Sequence, residues 1–272
     1  MHPKMLPLAQ CPRQILAAID GVLTDIDETL STHGRLTAEA YGALAALKEA
    51  GLRVIPVTGR PAGWCDHIAR FWPVDAVVGE NGAFWMWHDP EARRLRTRFV
   101  QDEAERAEGK RRLEVVRAEV LREVPGAGVA SDQPYRAADL AIDFCEDVPA
   151  LSHAEITRIV DVFAAHGAHA KVSSIHVNGW FGDYDKLTTS RLMMRELFGV
   201  DLDADRGCYV FSGDSPNDAP MFGFFPNAVG VANVRDFAAD MEHLPGWVTV
   251  ARSGAGFVEL AKALIAARQE GR

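Results

Sequence analysis

Asp25 and Asp27 stand one residue apart at the end of the apolar run Val22-Leu-Thr-Asp-Ile-Asp-Glu-Thr-Leu30. On a strand, residues i and i+2 point the same way, so a strand ending here aims both carboxylates at one place. Two like charges that close are costly unless a cation or a shared proton relieves them. The pair therefore implies a divalent metal, an acid/base pair, or both. Three other pieces carry chemistry of the same kind. Thr58 follows the apolar run 52–57, Asp214 and Asp218 follow the run 207–211, and Lys186 opens a helical stretch. Each has a plainer explanation when taken singly. Asp25 and Asp27 could be solvated turn residues, Thr58 and the later aspartates helix caps, and Lys186 an exposed first-turn lysine, although lysine is disfavoured at a helix start. Together they make four carboxylates, a hydroxyl and an ammonium.

The elements around them decide whether they meet. Residues 37–50 read as a helix capped by Thr37 and stopped by Gly51, with Leu44 and Leu47 on one face. Strands at 52–57 and 75–78 follow, with Pro61 suited to the first turn of the helix between them. Strand, helix, strand is the pattern of a parallel sheet with crossover helices. Such sheets bind ligands at the carboxyl ends of their strands. The rhythm changes after Gly82: a hairpin (83–88 and 95–100), a helix (102–124), a strand (139–145), a helix (152–166) and two short strands (168–173 and 175–180). Ser152 and Glu155 are spaced as a capping box. Trp85 and Trp87 alternate on the hairpin and are expected to pack inside this inserted unit. A helix at 186–198, strands at 207–211, 228–231 and 246–250, and a final helix at 256–267 restore the first rhythm. The expected fold is α/β: a Rossmann-like parallel sheet with helices on both faces, plus an inserted α+β cap. The expected division is a loose tail 1–14, a core of 15–83 and 182–272, and a cap of 84–181.

Length and composition set outer bounds. The 272 residues suffice for two domains. A net charge of −9 argues against non-specific nucleic-acid binding, which needs basic surface, and means an anionic substrate requires local cations. The cysteines Cys11, Cys65, Cys145 and Cys208 form no Cys-x-x-Cys pair and read as reduced thiols of a cytoplasmic protein. No apolar stretch approaches the roughly 18 residues of a spanning helix. The first 14 residues lack the apolar core of a signal peptide. The nine histidines show no zinc spacing.

In this order, Asp25-Ile-Asp27-Glu-Thr29, Val57-Thr58-Gly59-Arg60, Lys186 and Gly213-Asp214-Ser-Pro-Asn217-Asp218 resemble the haloacid dehalogenase-like hydrolases. The branch is the one with a large α/β cap inserted after the second motif, the Cof-type and sucrose- or trehalose-phosphate phosphatase relatives. The match spans nearly the whole chain after the tail. The short gap between Asp27 and Thr58 leaves no room for a cap there. One departure stands out: Glu28 replaces the usual glycine of the first motif. A competing register, Asp20-Gly-Val-Leu-Thr24, has Ala18 where an acid is needed.

The resemblance implies a phosphatase acting through an aspartyl-phosphate. Asp25 would be the nucleophile and Asp27 the general acid, then base. Thr58 would bind a phosphoryl oxygen, and Lys186 would neutralise charge on Asp25 and the phosphoryl group. Mg²⁺ would be held by Asp25, Asp214, the backbone carbonyl of Asp27, and Asp218 directly or through water. Arg60 and Asn81 on core loops, with Trp180 and Asp183 beside Phe181 and Tyr184 at the cap junction, are the substrate-binding candidates. The partner is a small phosphate ester, most simply a sugar phosphate, for a monomer or homodimer. A phosphomutase on the same scaffold and a non-catalytic Mg²⁺- or sugar-phosphate-binding regulator are the alternatives.

Overall fold

The computed structural model describes residues 5–173 and 175–269. Its central sheet has the order Leu6–Pro7, Trp247–Val248, Val229–Gly230, Tyr209–Gly213, Gly21–Thr24, Arg53–Pro56, and every pairing is parallel. Side chains alternate across it. Val22, Val54, Val210 and Val229 join one apolar cluster; Leu23, Ile55, Phe211 and Val248 join the other. Helices cover both faces, which is why these strands read as continuous apolar runs. The helix Ala38–Glu49 begins where Thr37 Oγ1 accepts the Ala40 N–H at 3.2 Å.

The chain leaves Gly21–Thr24 toward Arg53–Pro56 on one side and later returns to Tyr209–Gly213 on the other. The two central strands therefore flank a switch point, where open α/β sheets form their ligand crevice. Thr24 is in register with Ser212, which brings Asp25 and Asp214 side by side at the carboxyl edge.

The inserted unit is a four-stranded antiparallel sheet, His169–Val172, His176–Trp180, Leu140–Asp143, Gly128–Val129, with the helices Glu103–Glu123 and His153–Ala165 packed on one face. Capping boxes start both helices, Asp102 with Glu105 and Ser152 with Glu155. Leu140, Ile142 and Val177 face these helices, with Leu113, Val116 and Phe163. Gly179 lets Phe163 approach: a Cβ there would lie 2.0 Å from the ring. By the period of two, Lys171, His176 and Asn178 face the other way, toward the core.

Two expectations require correction, and one element was not anticipated. The tail is not loose from Met5 onward: Leu6–Pro7 pairs with Trp247–Val248, and Leu8 and Cys11 are buried. Its partner lies at the far end of the chain, so no local pattern announces it. Residues 1–4 lie outside the described residues. The hairpin Phe84–Asp89 and Arg94–Phe99 belongs with the core, not with the inserted unit. It extends Val77–Gly79 into a three-stranded sheet. Phe84 enters one core cluster, Trp85 the other, and Trp87 packs against the latter. Finally, a small hairpin, Ser31–Thr32 with Arg35–Leu36, follows the first motif; its strands are too short to leave a periodic signature.

Candidate active site

The Lys186 ammonium is the centre of the site. It lies 2.7 Å from Asp25 Oδ1 and 2.8 Å from Asp218 Oδ1, with all three side chains buried. Lys186 is the first residue of the helix Lys186–Phe198. Asp185 caps that helix through the Thr188 N–H at 2.7 Å. Burial works against the ammonium charge, but Asp218 and Asp25 more than offset it, and the lysine is held firmly protonated.

Asp25, Asp214 and Asp218 each present a carboxylate oxygen within 4.8 Å of the others. Thr29 Oγ1 and Asn233 Nδ2 donate to Asp214 at 3.2 and 2.8 Å. Asp218 Oδ2 accepts the Asp214 N–H at 3.0 Å and so shapes its own loop. Burial pushes the Asp25 carboxyl up to about 7, against the pull of Lys186, with Asp218 and Asp27 adding to the rise. Burial, Asp25 and Asp218 also push Asp214 well above the usual carboxylate range. Three buried carboxylates facing one lysine lack positive charge, and oxygen-only donors in that number suit Mg²⁺. The donor set therefore fits the ion expected from the first motif. The Asp27 carboxylate stands outside this cluster.

Asp27 is instead gripped by Arg60. Arg60 Nε donates to its two oxygens at 2.9 and 3.1 Å, and Nη2 donates to Oδ1 at 2.7 Å. Burial opposes the Arg60 charge, and Asp27, Glu146 and Asp132 together raise its pKa. Thr58 is fully buried, and its Oγ1 accepts the Arg60 N–H at 3.1 Å, which leaves its proton free to donate. Asn81 lines the same crevice in a left-handed conformation (φ 54°), and its Nδ2 has no partner. A buried donor left unsatisfied costs about 1–3 kcal/mol, which an incoming acceptor would recover.

Glu28 also has a left-handed backbone (φ 55°), the region glycine adopts without strain. Its carboxylate turns away from the crevice to the Gly34 N–H at 3.2 Å and the Ser253 hydroxyl at 3.0 Å.

The model for haloacid dehalogenase-like hydrolases matches residues 22–106, from the first motif through the second and into the helix Glu103–Glu123 of the inserted unit. That stretch, about a third of the chain, is similar to the haloacid dehalogenase-like hydrolases. No curated protein sequence matches it. Solved structures with the same fold include a Thermoplasma acidophilum protein at 18% identity, covering 90% of this chain and 98% of that one with a TM-score of 0.67. The Synechocystis sucrose-phosphatase, solved with sucrose and phosphate, is similar at 15% identity, 90% and 98% coverage and a TM-score of 0.62. The C-terminal domain of Candida albicans trehalose-6-phosphate phosphatase is similar at 12% identity, 98% and 99% coverage and a TM-score of 0.70.

The cap contributes crevice residues that motif reading missed. Arg136, Lys171, Ser173, His176 and Asn178 close the crevice over Asp25, Asp27 and Arg60, and Ser215 and Asn217 line its core side. The signal was present in His176-Val-Asn178, where polar residues occupy alternate positions of an otherwise apolar strand. Two expected contacts fail. Trp180 is buried at the junction, stacked on Tyr184 with its Nε1 donating to the Tyr184 carbonyl at 3.2 Å. Asp183 is exposed and away from the crevice. Both were placed by nearness in sequence to the junction, whereas the cap reaches the site with the polar face of its sheet.

Proposed function

We propose that the protein is a Mg²⁺-dependent phosphatase that hydrolyses a small phosphorylated metabolite, a sugar phosphate foremost, through an aspartyl-phosphate. The observation that carries the reading is the buried Asp25–Lys186–Asp218 arrangement with Asp214 beside it, at the carboxyl edge of a parallel sheet. The sugar-phosphate preference draws support from the sucrose-phosphatase and trehalose-6-phosphate phosphatase that share the fold.

Lys186 holds Asp25 Oδ1, so Oδ2 is the oxygen positioned to attack phosphorus. The Oδ2–P bond forms as the ester P–O bond breaks, and Asp27 protonates the departing oxygen. Water then attacks phosphorus, yields its proton to Asp27, and releases phosphate from Asp25. Lys186 offsets repulsion between the nucleophile and the phosphoryl oxygens. Thr58 Oγ1 and Asn81 Nδ2 are the donors free to orient those oxygens. Asp25 and Asp214, with the Asp27 carbonyl and Asp218, would hold Mg²⁺, which when bound supplies further charge neutralisation at the phosphoryl group. The polar face of the cap sheet, Asn178 and His176 especially, meets the leaving group.

A phosphate-release screen over sugar phosphates, nucleotides and glycerol phosphates, with and without Mg²⁺, tests this function. Metal-dependent release with sugar phosphates foremost is the expected result. Metal-independent release, or none from any ester, overturns it.

A further inference from the structure

Arg60 is rooted in the core, yet its side chain spans two units. Nε and Nη2 grip Asp27, while Nη1 points into the cap, 3.8 Å from Asp132 Oδ2 and 3.9 Å from Glu146 Oε1. The Trp64 ring lies 4.4 Å from the guanidinium carbon and covers one face. A guanidinium is a rigid planar fork, so what fixes Nη1 also fixes the edge that meets Asp27. Of the two cap acids, Asp132 is itself fixed by hydrogen bonds. Asp132 accepts from Arg136 Nε and Nη2 at 2.9 and 3.1 Å. Arg136 Nη1 in turn donates to the carbonyl of Gly59, the residue before Arg60, at 3.0 Å. Glu146 Oε2 lies 2.9 Å from His176 Nε2.

We propose that Asp132 and Glu146 of the cap are positioning residues for Asp27, acting through Arg60, so that the shuttle carboxylate is aligned only when the cap is docked. Arg60 holds Asp27 Oδ1 twice and Oδ2 once, at 3.1 Å, so Oδ2 is the oxygen left to the leaving group. With the cap withdrawn, Nη1 loses both acids. Asp27, whose side chain is 23% exposed, is then free to turn toward solvent. This rests on the phosphatase reading for the role of Asp27; the geometry of the coupling does not.

The test compares wild type with Glu146→Gln and with the double variant Asp132→Asn/Glu146→Gln. Phenyl phosphate needs a protonated leaving group far more than 4-nitrophenyl phosphate does. In Glu146→Gln, kcat for phenyl phosphate should fall about tenfold further than kcat for the 4-nitrophenyl ester. The selective loss should vanish in an Asp27→Asn background, an outcome that a merely structural lesion would not produce. Equal losses on both esters, or a selective loss that persists without the Asp27 carboxyl, overturn the coupling. Crystal structures of the same variants give a readout independent of activity. Arg60 leaving Asp27 supports the coupling; an undisturbed Arg60–Asp27 pair in the double variant refutes it. Should wild type hydrolyse neither ester, the phosphatase reading fails and the structures alone decide the coupling.

Discussion

Lys186 Nζ and Asp25 Oδ1 lie 2.7 Å apart although 161 residues separate them, and neither is open to solvent. A helix start is a poor place for a lysine, because the dipole there favours negative charge. Asp185 answers the helix end as its cap, and Asp25 and Asp218 answer the ammonium. The arrangement is stable only as a set.

Removing its centre should therefore be costly. Lys186→Met leaves Asp25 and Asp218 buried without a cation, and breaking such a pair costs about 3–5 kcal/mol. Chemical denaturation should show that loss in metal-free buffer, and phosphate release should fall at least about a hundredfold. Unchanged turnover would remove Lys186 from the mechanism.

Asp25→Asn should separate activity from stability. It removes the proposed nucleophile together with one of three crowded carboxylates. Turnover should be lost, while the thermal midpoint without metal stays at or above that of wild type. A folded variant keeping more than a few per cent of activity would sink the nucleophile assignment.

Mg²⁺ should stabilise the fold by mass action, by about 2.7 kcal/mol at a hundred times its dissociation constant. Differential scanning calorimetry should show a rise in Tm with added Mg²⁺ that chelation reverses. Asp214→Asn should abolish the rise, since it takes a carboxylate from the buried cluster. A rise of equal size in that variant would place the ion elsewhere.

Glu28→Gly tests whether the departure from the first motif matters. Relief of left-handed strain, roughly 1 kcal/mol, opposes loss of the Ser253 and Gly34 hydrogen bonds, each about 1 kcal/mol. Stability should change by no more than about 1–2 kcal/mol, and kcat/KM should stay within about twofold, because the carboxylate faces away from the crevice. A larger kinetic effect would mean that Glu28 does reach the substrate.

Glu80 links the core to the cap. Its buried carboxylate accepts the N–H groups of Ala62, Ala137, Ala138 and Asp139 at 2.6–3.1 Å. Burial and Asp139 push its pKa up from 4.5 to about 7, against those hydrogen bonds. The folded state thus holds a proton that the unfolded chain releases near 4.5, and the Glu80 contribution to stability falls as pH rises from about 4.5 to 7. At about 1.4 kcal/mol per unit, the advantage of wild type over Glu80→Gln should shrink by roughly 2–4 kcal/mol across that window. Denaturant midpoints of both proteins against pH check this; a gap independent of pH would contradict it.

Much was legible before any coordinates. Asp25, Asp214, Asp218 and Lys186 announce themselves because each sits at the boundary of a strongly patterned element, where an apolar run stops or a helix begins. The parallel core follows from strand–helix alternation, and Thr37 and Ser152 mark helix starts by their own chemistry. What local pattern could not carry is contact between distant segments. Leu6–Pro7 is a strand only because Trp247–Val248 lies beside it, and Phe84 and Trp85 join the core only because the hairpin extends Val77–Gly79.

The sequence by itself determined which acids and which lysine meet, and the edge of the sheet on which they do, since period-two and helical patterning are local properties. Only the tertiary structure decided that Asp27 is held by Arg60, that Asp132 and Glu146 of the cap lie 3.8 and 3.9 Å from Arg60, and that Asn178 and His176 rather than Trp180 and Asp183 face the crevice. Those relationships depend on how two separately patterned units dock, and docking is set by the complementarity of whole faces.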